Sequence, residues 1–330
     1  MKKIPAIIIF IILPLIAGYI TAAAHSQKAP APANLEFTTN TIPTTDRITL
    51  TEKGAIISLT NTSVTKIPTS NPALIEAVPL DNNYIGVDKQ INYANLYEFS
   101  VSGSLVKTLQ DGNTKNIDTM DWFTDPAVNA NQNEIAFVSD KDKDRTNILD
   151  NALYIENLEN GSSEKISDPD PHSGGIAHPV WNPVGPNKLI FDYYQYDENY
   201  NPYSIIDEYD LQTQTTNPLT TQDQNAYQGS FSPDGKQFIF LERDNDITTR
   251  MYIADITGHE LSHIQNIASG DFAYPAFSKT ANHIYYLQAQ GNSGYDLYTA
   301  ALVNGKLTNP TAISTGAQLL ANSGFTVSSK

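Results

Sequence analysis

One spacing constrains this chain more than any other feature. An apolar residue within a short strand returns at Val78, Val128, Trp181, Phe231, Phe277 and Phe325, at intervals of 50, 53, 50, 46 and 48 residues. Self-similarity at such a period marks a repeat architecture, in which each unit buries its apolar faces only by stacking on its neighbours. After five of these anchors a second apolar strand starts seven or eight residues later, at Ile85, Ile135, Leu189, Phe238 and Ile284. Third strands follow from Asn95 (NLYEFSV), Ala152 (ALYIEN), Ser204 (SIIDEYD), Met251 (MYIAD) and Asp296 (DLYTAAL), then weaker fourth strands such as Leu105 to Leu109 and Glu164 to Ile166. The best-formed turn between first and second strands is Ser232-Pro233-Asp234-Gly235. There Pro233 presets φ and Gly235 supplies the positive φ that reverses the chain. A helical period is absent from the body of the chain. Four short antiparallel strands per unit describe a propeller blade.

The sixth anchor decides how many blades there are. Phe325 lies five residues from the last, so its unit holds a first strand and nothing more. Residues 46–67 have the opposite defect: DRITLTE, AIISLT and SVTKIP supply three strands with no first strand before them. Joined, the two pieces make one blade. The expected fold is all-β: a six-bladed β-propeller of four-stranded antiparallel blades, closed by a C-terminal strand that completes the N-terminal blade. Closure of this kind removes the open sheet edges that promote aggregation. The alternative is a five-bladed domain with unrelated tails.

The ends and the composition bound the function. Lys2 and Lys3 precede an uncharged, largely apolar stretch that ends in Ala22-Ala23-Ala24. Residues 1–24 therefore read as a cleaved signal peptide or as an uncleaved N-terminal membrane anchor. Residues 25–45 are rich in Pro, Ala and Thr and read as a linker, and 46–330 as the propeller. The expected location is exported: periplasmic, extracellular or attached to the outer face of the cytoplasmic membrane. The chain carries 20 Lys+Arg against 36 Asp+Glu, a net charge of −16, which argues against a nucleic-acid partner. With no Cys, disulfides, thiolate metal sites and Cys nucleophiles are excluded.

The segment FSPDGKQFIFLERD (Phe231 to Asp244) followed by MYIAD resembles the repeat of the TolB-type, WD-like β-propellers. FVSDKDKDRTNILDNALYIENLENG (Phe137 to Gly161) resembles the same unit with a longer hairpin. The resemblance covers residues 46–330 and is strongest over 125–300. It implies the propeller fold. Because no separate α/β domain precedes the propeller here, as full TolB would have, it does not imply the Tol partners.

Loops that join a fourth strand to the next first strand crowd one mouth of a propeller channel. Here they are residues 111–122, 166–178, 220–229 and 266–274, and they carry Asp121, Trp122, Asp170, His172, His178, Asp223, Tyr227, Asp271 and Tyr274. Asp121, Trp122, His172, His178, Tyr227, Asp271 and Tyr274 are the candidate ligand-binding residues, since acid, imidazole and aromatic groups converging on one mouth suit a peptide or small polar ligand. The competing reading makes them ordinary solvated turn residues. His172 and His178 with Asp168 and Asp170 match no strong metal spacing. Asp140, Asp142 and Asp144 copy the start of a calcium loop, but Arg145 replaces its Gly and Asn151 its final Glu. No cofactor, metal or catalytic residue is assigned, and no G-x-S-x-G elbow occurs. The Tyr-rich segment from Asp192 to Tyr209 reads as a contact surface or as a long, partly buried hairpin. The expected function is a monomeric, non-catalytic binding scaffold for an envelope protein or peptide, with an N-terminal membrane tether as one form of attachment. The alternative is a secreted carbohydrate-active hydrolase or lyase with its site in the channel.

Overall fold

The computed structural model describes residues 35–329 apart from 115–119, 143–150, 170–173, 186, 245–247, 292–293, 317–318 and 320–323. Residues 1–24, read from the sequence as a signal peptide or membrane anchor, and residues 25–34 lie outside the described residues. A short strand β1 (Glu36–Phe37) comes first, then β2 (Asp46–Glu52), β3 (Ala55–Thr60) and β4 (Ser63–Pro68). Five complete sheets follow, the first of β5 (Leu74–Leu80), β6 (Asn83–Lys89), β7 (Ala94–Ser100) and β8 (Leu105–Gln110). The next is β9 (Phe123–Val128), β10 (Glu134–Ser139), β11 (Ala152–Asn157) and β12 (Ser163–Ser167). It is followed by β13 (Gly175–Trp181), β14 (Lys188–Tyr196), β15 (Pro202–Asp210) and β16 (Thr215–Pro218). Then come β17 (Ala226–Phe231), β18 (Gln237–Arg243), β19 (Thr249–Thr257) and β20 (Glu260–Gly270). The last consecutive sheet is β21 (Phe272–Phe277), β22 (His283–Ala289), β23 (Tyr295–Val303) and β24 (Lys306–Ala312), before β25 (Ser314–Thr315) and β26 (Thr326–Ser329).

Five blades are formed by consecutive strands, and the sixth has the order β26-β2-β3-β4. All pairings are antiparallel, with Asp46 opposite Ser329 and Thr49 opposite Thr326 at the seam. The expected six-bladed fold and its one-plus-three closure are thus what the chain adopts. The anchors explain the stacking. Val78 and Val128 share one apolar cluster, while Trp181, Phe231 and Phe277 each enter a cluster drawn from adjacent blades. Burial alternates along the inner strands and is near complete on the second strands, as at Ile135, Phe137, Ile239 and Ile284. This is the pattern of sheets covered on both faces. The outer strands β4 and β8 are mostly exposed.

Asp46 clasps the seam. Its side chain is fully buried and accepts hydrogen bonds from the Tyr285 hydroxyl (2.8 Å), the Lys279 amide (3.1 Å) and Thr45 Oγ1 (2.8 Å). It joins the N-terminal blade to the sheet of β21–β24. Burial, then the Asp46 hydrogen bond, raise the Tyr285 hydroxyl far above the usual phenol range, so it stays a donor. A second tie lies outside the sheets. β1 pairs with β25, Thr38 N donates to Ile313 O at 2.7 Å, and Ile42 is buried in the cluster shared with Leu59, Tyr285 and Ile313. The end of the Pro-, Ala- and Thr-rich stretch is therefore strapped to the ring.

Two outcomes test this architecture. A chain ending at residue 323 loses β26 and bares the edge of β2, and is expected to aggregate or lose its cooperative melt, as read by calorimetry and light scattering. Gly235 has φ of +67°, and a Cβ there would meet Val184 Cγ2 at 2.5 Å. Gly235→Val is expected to destabilise by about 1–3 kcal/mol in denaturant titration, the usual scale of backbone strain.

Candidate functional site

Each of four successive inner strands carries the same distortion, three residues before its anchor. Asp125, His178, Gln228 and Tyr274 all have positive φ, between 50° and 52°. In each, the register slips so that two residues oppose one: Asp125-Pro126 oppose Phe137, His178-Pro179 oppose Phe191, Gln228-Gly229 oppose Phe240, and Tyr274-Pro275 oppose Tyr286. These are β-bulges, which re-aim a side chain and interrupt the ladder. Proline and glycine suit the second bulge position because a bulge leaves an amide that the ladder does not need. A left-handed backbone at a non-glycine residue is strained and persists where its surroundings over-determine it. Here four such residues line one cavity, together with Glu76 of β5.

Hydrogen bonds cross from blade to blade at this level. The Asp125 amide donates to Glu76 Oε2 at 3.0 Å. The Gln228 amide donates to Asp192 at 3.0 Å and 2.9 Å, to its two carboxylate oxygens. The Tyr274 amide donates to Gln228 Oε1 at 2.8 Å. Asp192 also pairs with His178 Nδ1 at 2.7 Å, and His178 Nε2 lies 3.3 Å from the Tyr274 hydroxyl with the two rings edge to face.

Asp192 is the unusual residue. On β14 it occupies the seat given to Val138, Leu241 and Leu287 on the other second strands, and it is 1% exposed. A buried carboxylate is costly unless paired and hydrogen-bonded, and here two backbone contacts and an imidazole satisfy it. Burial raises its pKa, against the pull of His178. Burial alone would push the His178 imidazolium down, but Asp125, Asp192 and Glu76 outweigh it and lift the pKa to about 9. Burial, then the charge of Asp125, hold Glu76 well above the usual carboxylate range. The phenols of Tyr194 and Tyr274 are raised too, first by burial and then by nearby carboxylates.

The cavity has a volume of about 440 Å³. Its polar floor is Glu76, Asp125, His178, Gln228 and Tyr274; its wall includes Val78, Val128, Trp181, Phe231, Phe277 and Phe325. Ala77, Ala127, Ser230 and Ala276, each just before an anchor, keep it open. The lining continues to Asn129, Gln132, Pro183, Pro233 and Lys279, which belong to the turns between first and second strands. The cavity therefore reaches the face opposite the blade-joining loops.

Of the seven candidate residues read from the sequence, the structure brings His178 and Tyr274 together in the channel. The other described candidates stand apart from this cavity. Trp122 packs on the cluster of Val78 and Phe137, with Lys89 Nζ 5.6 Å from its ring centre. Tyr227 is buried against Ile239 and Phe272, with Arg243 over its ring. Asp271 accepts from the Tyr295 hydroxyl at 3.1 Å. The Asp121 carbonyl accepts from the Ala94 amide. His172 and Asp170 lie outside the described residues, as do Asp144 and Arg145. Asp140 receives the Trp122 amide at 2.7 Å and Asp142 the Tyr154 hydroxyl at 2.9 Å, while Asp168 pairs with Lys165. Among the described residues no group of three His, Asp or Glu is placed to hold a metal ion. The loops expected at 220–229 and 266–274 are shorter than read, since β17 begins at Ala226 and only Asp271 separates β20 from β21. The Tyr-rich segment is the β14–β15 hairpin, with Tyr209 buried and Tyr200 exposed at the tip.

Sequence reasoning missed Glu76, Asp125, Gln228 and Asp192. A signal existed in the recurring tetrads Asp125-Pro126-Ala127-Val128, His178-Pro179-Val180-Trp181, Gln228-Gly229-Ser230-Phe231 and Tyr274-Pro275-Ala276-Phe277. A second was the acid in Leu189-Ile190-Phe191-Asp192, where the other repeats keep an apolar residue.

No family model matches the sequence, and no curated protein matches it. Solved structures do resemble the fold. TolB from Acinetobacter baumannii aligns with a TM-score of 0.61 at 14% identity, over 85% of this chain and 66% of that one. The chain thus spans just under two thirds of that protein's length. A putative TolB from Agrobacterium tumefaciens aligns at 0.53 and 14% identity, over 73% of this chain and 83% of that one. An oligogalacturonate lyase in complex with manganese aligns at 0.53 and 11% identity, over 77% and 69%. At such identities the likeness shows the TolB-like propeller fold and nothing finer.

The floor predicts a pH dependence of stability. His178 has a folded pKa of about 9 against an ordinary 6.5, so the folded state binds the extra proton. Its stabilisation is fully present below about pH 6.5 and lost as pH rises through about 9. Denaturant titrations are expected to show stability falling across that window in the parent and a flatter profile in His178→Gln.

Proposed function

We propose that this protein is an exported, non-catalytic binding scaffold that takes a segment of an envelope protein or peptide into its central channel. The observation that carries the reading is the cavity itself: an apolar wall over a floor of polar groups already fixed by blade-to-blade hydrogen bonds. Its volume falls within the range of about 300–1,000 Å³ usual for ligand sites, and preorganised polar groups lower the cost of binding. Export rests on the character of residues 1–24. The opposite rim, with Asp121, Trp122 and Asp271, is a second surface for the same partner.

A carbohydrate-active hydrolase or lyase is the second reading. The observation that favours it is a pair of acids from neighbouring blades at the floor, Glu76 with its raised pKa beside Asp125. A carboxyl inclined to keep its proton beside a second acid suits glycosidic-bond cleavage.

Affinity capture from the envelope of the source cell tests the scaffold. Ser230→Trp fills the channel from a half-buried inner-strand position. It is expected to abolish capture while leaving the melting temperature unchanged, with Trp122→Ala weakening capture less. Full capture by Ser230→Trp with loss in Trp122→Ala would move the site to the opposite rim. Turnover of an envelope glycan by the pure protein would favour the enzyme.

A further inference from the structure

The channel floor is rich in acceptors. Asp192 is fully used by His178 and the Gln228 amide. Gln228 Oε1 is taken by the Tyr274 amide, and one oxygen of Glu76 by the Asp125 amide. The Asp125 carboxylate has no hydrogen-bond donor among the described residues, although it lines the cavity and acts electrostatically on His178, Glu76 and Tyr274. This carboxylate is half-buried and faces the cavity without a protein donor, so it can accept one from a ligand that replaces solvent there. Among the described residues the cation at the floor is His178, already held by Asp192, and the Lys279 side chain, at the rim, interacts with Asp46.

The asymmetry selects the ligand. An anionic ligand would meet the Asp125 carboxylate inside a protein of net charge −16. A neutral hydroxyl would satisfy Asp125 but leave its charge unmatched. A cationic donor does both, and charge-assisted hydrogen bonds are the stronger kind. The wall of Trp181, Phe231, Phe277 and Phe325 asks for an apolar body behind that cation. Deepening the scaffold reading and resting on it, we propose that the channel floor binds a primary ammonium group carried on an apolar body, with Asp125 as its principal acceptor, Glu76 and the Tyr274 hydroxyl beside it, and the anchor aromatics around the body. The α-amino group of a peptide that begins with an apolar residue has this chemistry, being largely protonated at pH 7. A lysine side chain offers the same ammonium on a thinner stem.

Trp181 lies in the wall and reports occupancy by fluorescence, once Trp122→Phe removes the other tryptophan. Three probes separate the sources: phenylalanine amide, N-acetylphenylalanine amide and N-acetyllysine amide. Phenylalanine amide is expected to bind about tenfold or more tightly than its acetylated twin, the scale of one lost hydrogen bond to a charged group. Asp125→Asn is expected to erase that difference. Asparagine is the residue that best tolerates the left-handed backbone held at this position, so the bulge survives, and an unchanged melting temperature checks it. Preference for N-acetyllysine amide would keep the ammonium site and assign the side chain as its source. Equal binding of the amine and its acetylated twin, an unaltered preference in Asp125→Asn, or no binding of either amine would overturn the proposal. The scaffold reading is judged separately. Capture that is abolished by Ser230→Trp, yet unaffected by Asp125→Asn and by excess phenylalanine amide, would leave the channel as the site and remove the ammonium.

Discussion

A propeller is a ring, and this one stays closed through a four-residue strand and one buried carboxylate. β26 offers β2 a short ladder. Asp46, at the start of β2, adds hydrogen bonds from Tyr285 and Lys279 of the preceding sheet. Neither strand nor clasp would hold in isolation, because so few backbone bonds do not offset the entropy of closing a ring of this size. Together with the strap of β1 on β25 they fix the two ends of the chain to each other. Every inner strand then has a defined neighbour on both sides, and the channel has a defined width.

That fixed width gives the bulges their effect. In an open sheet a bulge re-aims one side chain; in a closed ring, four at the same level aim Asp125, His178, Gln228 and Tyr274 at a shared space. The strain of four left-handed residues is held by the bonds that link one blade to the next, from Asp125 to Glu76, Gln228 to Asp192 and Tyr274 to Gln228. The same bonds rigidify the floor and set its charge. His178 is kept cationic by Asp192 and Asp125, so the floor contains a matched ion pair and an unmatched carboxylate before any ligand arrives.

The fold was legible because it is repetitive. Anchors recurring from Val78 to Phe325 average out the weakness of any one strand signal, and the incomplete units at the two ends could be joined by what each lacked. The site was legible only in part because it consists of departures from the repeat. His178 and Tyr274 stood out as chemically rich residues near blade junctions. Asp125 and Gln228 did not, since acids and amides are common in loops, and only the structure shows that they sit in strands with positive φ. Asp192 is hidden in an apolar strand, at the start of a Tyr-rich segment that fits a contact surface and a partly buried hairpin equally well. Trp122 and Tyr227 drew attention for their type, but apolar packing accounts for where they lie. The Asp140–Asp142 acids likewise serve as acceptors for Trp122 and Tyr154.

The central claim is that the channel floor is a preorganised charged cluster rather than a chance meeting of polar strand residues. NMR titration of the imidazole nitrogens of His178, assigned by comparison with His178→Gln, tests it directly. The account predicts that His178 remains an imidazolium through neutral pH and releases its proton near pH 9, with a lower midpoint in Asp192→Asn. A midpoint near 6.5 in the parent protein, unmoved by Asp192→Asn, would contradict it.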